Sequence, residues 1–158
     1  MESAFNVSAM LNSQVTESNS TELLQIDEGE YIAVIDPVSE ENFKSFDIKK
    51  GERAGQKGLS LNLTWNINDE SGAIIAKIGR TPKVRQNLFL DLTTQGGLDF
   101  GKGRNVSLGQ LREALGQNMT GRPWSFGMLG GGVAKIKVKH RILDDGRTMA
   151  EVQAVAKA

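Results

Sequence analysis

Four cations alternate strictly near the C-terminal end of the chain: Lys135, Lys137, Lys139 and Arg141. Residues two apart in a strand share a face, so all four point one way. Ile136, Val138 and Ile142 point the other way, with His140 among them. Their spacing is roughly 6.6 Å, twice the ~3.3 Å rise per residue. That repeat suits a sugar–phosphate backbone; the alternative is a solvated barrel face whose lysines blunt a sheet edge. A second basic group comprises Lys77, Arg80, Lys83 and Arg85 around a strand end, followed by Lys102 and Arg104 in a Gly-rich loop. Basic loops beside a barrel strand are common in grooves that hold single-stranded nucleic acid, although loops also simply collect charge.

Base stacking needs exposed aromatic rings, and the chain has nine aromatic residues. Trp65 lies on the apolar side of an alternating segment and is expected in the core. Trp124 and Phe126 occupy a stretch without helix or strand period, Gly121-Arg122-Pro123-Trp124-Ser125-Phe126-Gly127. They suit either a stacking platform flanked by Arg122 or packing over a helix end. Phe89 faces opposite Leu88 and Leu90, so it lies in a groove or at an interface if the leucines are core. Phe100 sits beside Lys102 in its own loop. Each stacked base contributes on the order of 1–3 kcal/mol.

Other chemistries find little support. There is no Cys, which excludes disulfides, thiolate metal sites and cysteine nucleophiles. Gly96-Gly97-Leu98-Asp99-Phe100-Gly101-Lys102-Gly103 matches the first seven positions of a phosphate-binding P-loop. Gly103 replaces the Ser or Thr that would hold magnesium, and no helix follows the lysine directly. His140 is the single histidine and has no second ligand of its kind, so a structural or groove role is expected. Carboxylates gather mainly in the N-terminal third, where nothing marks an acid–base pair. A non-enzymatic protein without cofactor or metal is expected.

The elements that must position these residues are mostly short strands. The first 26 or so residues are rich in Ser, Asn, Thr and Glu without a sustained period. Residues 1–27 therefore read as a flexible acidic arm with a short helical turn around residues 4–11. A strand over residues 31–35 ends at Asp36-Pro37, and a short apolar stretch follows at 43–48. Residues 50–58 form an exposed loop. Leu59, Leu61, Leu63, Trp65 and Ile67 sit at period two, the clearest half-buried strand in the chain. Residues 68–72 are expected to turn a hairpin, with 73–78 as the returning strand and 87–93 as another. Residues 95–105 form the Gly-rich loop. One helix follows, with Ser107 as N-cap, Gln110 completing a capping box, and Gly116 as its stop. Residues 117–132 are a loop. Strands over 133–143 and 149–156, joined by Asp144-Asp145-Gly146, complete a domain from 28 to 158. Many short strands with one helix before the last two predict a mainly β fold, a small Greek-key barrel of the oligonucleotide/oligosaccharide-binding (OB) type with an extra strand or two.

At 158 residues the chain suits one domain, and its formal net charge is zero. That zero is a cancellation. Residues 1–47 hold ten acids and one base, Lys44, a balance of −9, and the remainder carries +9. Between Lys77 and Arg141 there are 12 bases and three acids. An acidic arm and a basic surface that meets a polyanion are expected, and the arm could compete for that surface. No basic-then-apolar leader opens the chain and no apolar run approaches 18 residues, which points to a cytoplasmic protein without membrane contact.

These residues resemble small phage-encoded single-stranded-DNA-binding proteins of the OB-fold type. The likeness rests on Glu28-Gly29-Glu30-Tyr31, on residues 59–67 around Trp65, on Leu88-Phe89-Leu90-Asp91-Leu92, and on the helix from Leu108 to Gly116. It implies sequence-independent coating of single-stranded DNA in the host cytoplasm during phage replication or recombination, with replication or recombination proteins as further partners. Cations on phosphates and loop aromatics on bases would carry the binding. The chain departs from the bacterial housekeeping type, which ends in an acidic tip; here the last residues are Val155-Ala156-Lys157-Ala158. The alternative is a non-enzymatic virion or assembly protein that associates with itself through barrel and arm.

Overall fold

A computed structural model of the protein describes residues 4–158. The first three residues of the acidic arm, Glu2 among them, lie outside the described residues. Six strands form one mixed sheet: β1 (Gly29–Ile35), β2 (Phe43–Asp47), β3 (Lys57–Ile67), β4 (Lys83–Leu90), β5 (Val133–Ile142) and β6 (Thr148–Ala156). Their order is β1-β5-β6-β4-β3-β2, and an additional β1–β3 pairing closes five of them into a ring. Every pairing is antiparallel except β4–β6, which is parallel and rests on the single pair Arg85 and Glu151. With β2 set aside as an excursion between β1 and β3, this is the OB-like Greek-key order, closed weakly at its parallel seam.

Alternation along the strands fills the ring. Ala33 and Ile35, Leu61, Leu63, Trp65 and Ile67, Val84, Leu88 and Leu90, and Ala134, Ile136 and Val138 all point inward and are buried. Trp65 is fully enclosed, so its indole N–H needs an internal acceptor; it donates to Gln86 Oε1 at 2.8 Å. Leu108 and Leu111 of α3 (Val106–Ala114) add to the same core.

Three local expectations need correction. Residues 73–78 form helix α2 (Ala73–Ile78) rather than a strand. The Asp69 carboxylate accepts from the amides of Ile74 and Ile75, at 3.1 and 3.0 Å. Gly72 and Gly79 bracket the helix at φ 72° and 74°, a region that favours glycine. Ile74 and Ile78, four apart, both turn to the core. The partner of β3 is therefore β4, which starts at Lys83 and ends at Leu90 instead of running over 87–93; Leu92 makes only an isolated bridge with Leu98. Helix α3 begins after Asn105, not Ser107, and Asn105 has φ 50° with no side-chain cap to the helix. Its side chain is committed elsewhere. It accepts from Asp91 N at 2.8 Å and donates to the carbonyls of Asp91 and Asp99, while its own amide donates to Asp91 Oδ2. These bonds fix both ends of the Gly-rich loop.

The N-terminal segment contains one short helix, α1 (Val7–Leu11), capped by Asn6. The stretch just before β1 is tied to the barrel. Ile26 is buried, Gln25 donates to Thr148 O, and Tyr31 Oη donates to Asp27 O at 2.7 Å. No helix among the described residues is long and apolar enough to cross a membrane.

Candidate nucleic-acid interface

The outer face of β2, β3 and β4 is built from residues that alternate with the core. On β4 these are Lys83, Arg85, Asn87 and Phe89, all exposed. Across from them on β3 stand Asn66, Thr64, Asn62 and Ser60 in that order. β2 extends the face with Lys44 opposite Ser60 and Phe46 opposite Gly58. The result is a polar sheet surface with cations along it and two phenyl rings at one end. The rings of Phe46 and Phe89 meet edge to face, with centroids 5.4 Å apart. Gly58 makes this possible, because a Cβ there would lie 2.4 Å from Phe46 Cζ. Phe89 remains 66% exposed in spite of its partner.

A groove of about 590 Å³ opens at that aromatic end, lined in part by Phe46, Phe89, Lys50, Arg53 and Arg104. Glu52, Asp91 and Asp99 also line it, but two of these acids have internal work. Asp91 fixes Asn105, and Asp99 lies 3.9 Å from Arg104. Lys83 is bound to Asp36 at 3.1 Å, and Asp36 also accepts from Asn66. Arg85, Lys44, Lys50 and Arg53 have no carboxylate partner among the described residues.

The four alternating cations of β5 lie in a different setting, with β6 between them and β4. Two of the four are paired with acids, while Lys137 and Lys139 make no ion pair among the described residues. Lys135 pairs with Glu30 at 3.5 Å and Arg141 with Glu151 at 3.2 Å. Glu30 stands opposite Lys137 in the β1 register, and Glu151 opposite Lys139 in that of β6. Glu28 accepts from the His140 amide at 2.9 Å. That bond, helped by the charge of Lys139, holds the Glu28 carboxyl below its ordinary range. Glu28 and Glu30 come from the acidic stretch and Glu151 from the basic remainder, so the two charged halves meet along this strand at Lys135 and His140.

Lys77 and Arg80 hold the chain ahead of β1. Lys77 binds Asp27, and Arg80 donates to Leu24 O at 2.8 Å. His140 Nε2 lies 2.6 Å from Ile26 O, a structural role. The hydrogen bond from Lys77, followed by its charge, depresses the Asp27 carboxyl below the ordinary 3.8. A depressed carboxyl stabilises the docked segment above its unfolded value and ceases to do so as pH falls through the folded one. Loss of this pair's contribution to docking of residues 24–28 is therefore expected only in acid, at pH below the ordinary carboxylate range, followed by the NMR signals of the Ile26 methyl groups. A Lys77→Met variant should loosen the segment at neutral pH and lose the part of its acid dependence that Asp27 supplies; docking and acid response like the parent's would show that this pair does not hold it.

The remaining aromatic candidates form a separate cluster. Trp124 donates to Gln117 Oε1 at 2.8 Å, and its ring lies 4.2 Å below the Arg112 guanidinium. Phe126 bridges Trp124 and Phe43, at 4.8 and 5.2 Å between centroids. Phe100, Arg122, Trp124 and Phe126 share one cavity, and Lys102 is exposed at the tip of the Gly-rich loop. Lys83, Arg85, Phe89 and Arg104 thus belong to the sheet face and its groove, and Phe100, Arg122, Trp124 and Phe126 to the cavity. Lys77 and Arg80 hold the N-terminal segment, and the β5 cations border acids. The sequence reading missed Phe46, Lys44, Gly58 and the polar row on β3, whose nearness to Phe89 depends on pairing across β2, β3 and β4.

No protein-family model matches the chain. A stretch of 74 residues, 47% of the chain, is 34% identical to histidine–tRNA ligase of Paracoccus denitrificans (strain Pd 1222), and it corresponds to 14% of that protein's length.

Proposed function

We infer that the protein binds single-stranded DNA without sequence preference, on the outer face of β2, β3 and β4. The observation that carries this reading is the composition of that face: the Phe46–Phe89 ring pair with Phe89 exposed, a row of small polar side chains on β3, and two cations without a carboxylate partner among the described residues, Arg85 on β4 and Lys44 on the flanking β2. β3 and β4 are the second and third strands of the ring. In OB folds that strand pair carries oligonucleotides. The rings stack on bases of any identity, and Arg85 and Lys44 meet phosphates. Stacking and phosphate contacts of this kind are blind to base identity, and the role they suit is coating of exposed strands in replication or recombination, without catalysis.

Fluorescence anisotropy of labelled oligo-dT tests the reading. Binding is expected at low salt, weakening with a log–log slope of about −2 to −3.5 if about three to five phosphates are neutralised at 0.7 per contact. Absence of binding at low salt would refute it. Because the partial relative is a tRNA ligase, oligo-U belongs in the same titration; preferential binding of oligo-U would replace DNA by RNA as the ligand.

A second reading, self-assembly, draws on exposed apolar residues of β1 and β5. Ile32, Val34 and Val133 all face solvent, with Val34 and Val133 directly paired. A large stable assembly in size-exclusion chromatography without nucleic acid would favour it.

A further inference from the structure

Beside the sheet face lies a cavity of about 440 Å³, walled by Phe100, Trp124, Phe126 and Met119, with Arg112 and Arg122 among its lining residues. No Asp or Glu lines it. Phe100 is 81% exposed, a large ring held in solvent without an aromatic partner among the described residues. Trp124 is already fixed in place by Gln117, Arg112 and Phe126. A ring immobilised in advance stacks at lower entropic cost than a free one. Arg112 Nε is buried without a hydrogen-bond partner among the described residues, while Nη2 donates to Gln117 O at 3.0 Å.

The cavity and the sheet groove are bordered by neighbouring residues of one loop. Asp99 and Arg104 of the Gly-rich loop border the groove, and Leu98 and Phe100 of the same loop border the cavity. We propose that this cavity is a second nucleotide subsite, where one unstacked base lies against Phe100 and Trp124 and its phosphate meets Arg122. The proposal rests on the single-strand reading of the sheet face. Two guanidinium groups, aromatic walls and a lining free of carboxylates match a nucleotide in both charge and surface.

The two tryptophans make the test direct. Trp65 is enclosed in the barrel, whereas Trp124 is half-buried at the cavity. Oligo-dT at the short and long ends of the ~4–16 nucleotides that OB folds occupy is titrated into the full chain, reading anisotropy and tryptophan emission together. The long oligonucleotide is expected to change the emission, and the short one to bind without doing so. A Trp124→Phe variant should lose the emission change. Phe100→Ala with Arg122→Ala should weaken the long oligonucleotide about tenfold, within the range for one lost stack, and leave the short one unaffected. Binding of the long oligonucleotide with unchanged Trp124 emission, or with unchanged affinity in the double variant, overturns the subsite and leaves the sheet face standing. Failure of both oligonucleotides to bind overturns both. An emission change produced by a peptide of residues 4–28, and not by DNA, would assign the cavity to the acidic arm instead.

Discussion

Replacing Phe89 by alanine and Arg85 by glutamate is expected to weaken oligo-dT binding by far more than any exchange on β5. Loss of one stack alone amounts to about 1–3 kcal/mol, roughly 5- to 150-fold in affinity, and the reversed charge on Arg85 adds to it. Both side chains are exposed and make no contact with the core, so the fold should be retained, as the urea midpoint will show. Lys137→Glu with Lys139→Glu is the matching control. Those lysines face Glu30 and Glu151, and their influence on DNA at the β4 face is long-range, across β6. Such influence fades as the Debye length shrinks to about 8 Å at physiological ionic strength. The control should therefore lose affinity modestly at low salt and scarcely at all at physiological salt. The opposite ranking would move the site to β5.

The largest effect on stability is expected at Trp65. Its side chain fills the centre of the ring and shares a buried hydrogen bond with Gln86. Trp65→Ala should cost about 3–5 kcal/mol through lost burial and the cavity left behind, against a typical total of about 5–15 kcal/mol for a domain. Gln86 adds a second component, because either partner alone leaves a buried polar group unmatched, at about 1–3 kcal/mol. Trp65→Phe combined with Gln86→Leu should thus be less destabilised than the sum of the two single exchanges, as a double-mutant cycle by urea unfolding would show. Additive effects would mean that the hydrogen bond contributes nothing.

Strict alternation of residue types over 59–67 is enough to identify β3, its inward face and the burial of Trp65; burial follows it from Leu61 to Ile67, while at the start Ser60 is buried and Leu59 half-buried. The alternation of β5 is equally legible. The acids that answer it are not, since Glu30 and Glu151 approach Lys135 and Arg141 only through strand pairing. Residues 73–78 mislead for a different reason. Ala-Ile-Ile-Ala-Lys-Ile fits strand or helix, and the decision falls to Asp69 and two glycines outside the segment. Phe89 is readable as an outward-facing ring, and Arg85 as an outward cation. Their companions Phe46 and Lys44 come from a short strand whose register against β3 no local pattern announces, and Gly58 matters only because Phe46 lies across it. The same holds for the cavity, where Phe100 and Trp124 are separated by a helix in sequence and joined only by folding.

Backbone-amide NMR shifts during an oligo-dT titration show which face of the barrel the DNA covers. The largest changes are expected along the outer face, at Ser60, Asn62, Thr64, Arg85, Asn87 and Phe89, with Lys44 and Phe46 on β2 following. Changes concentrated at residues 135–141 of β5, or none at saturating DNA, would contradict the assignment of single-strand binding to this face.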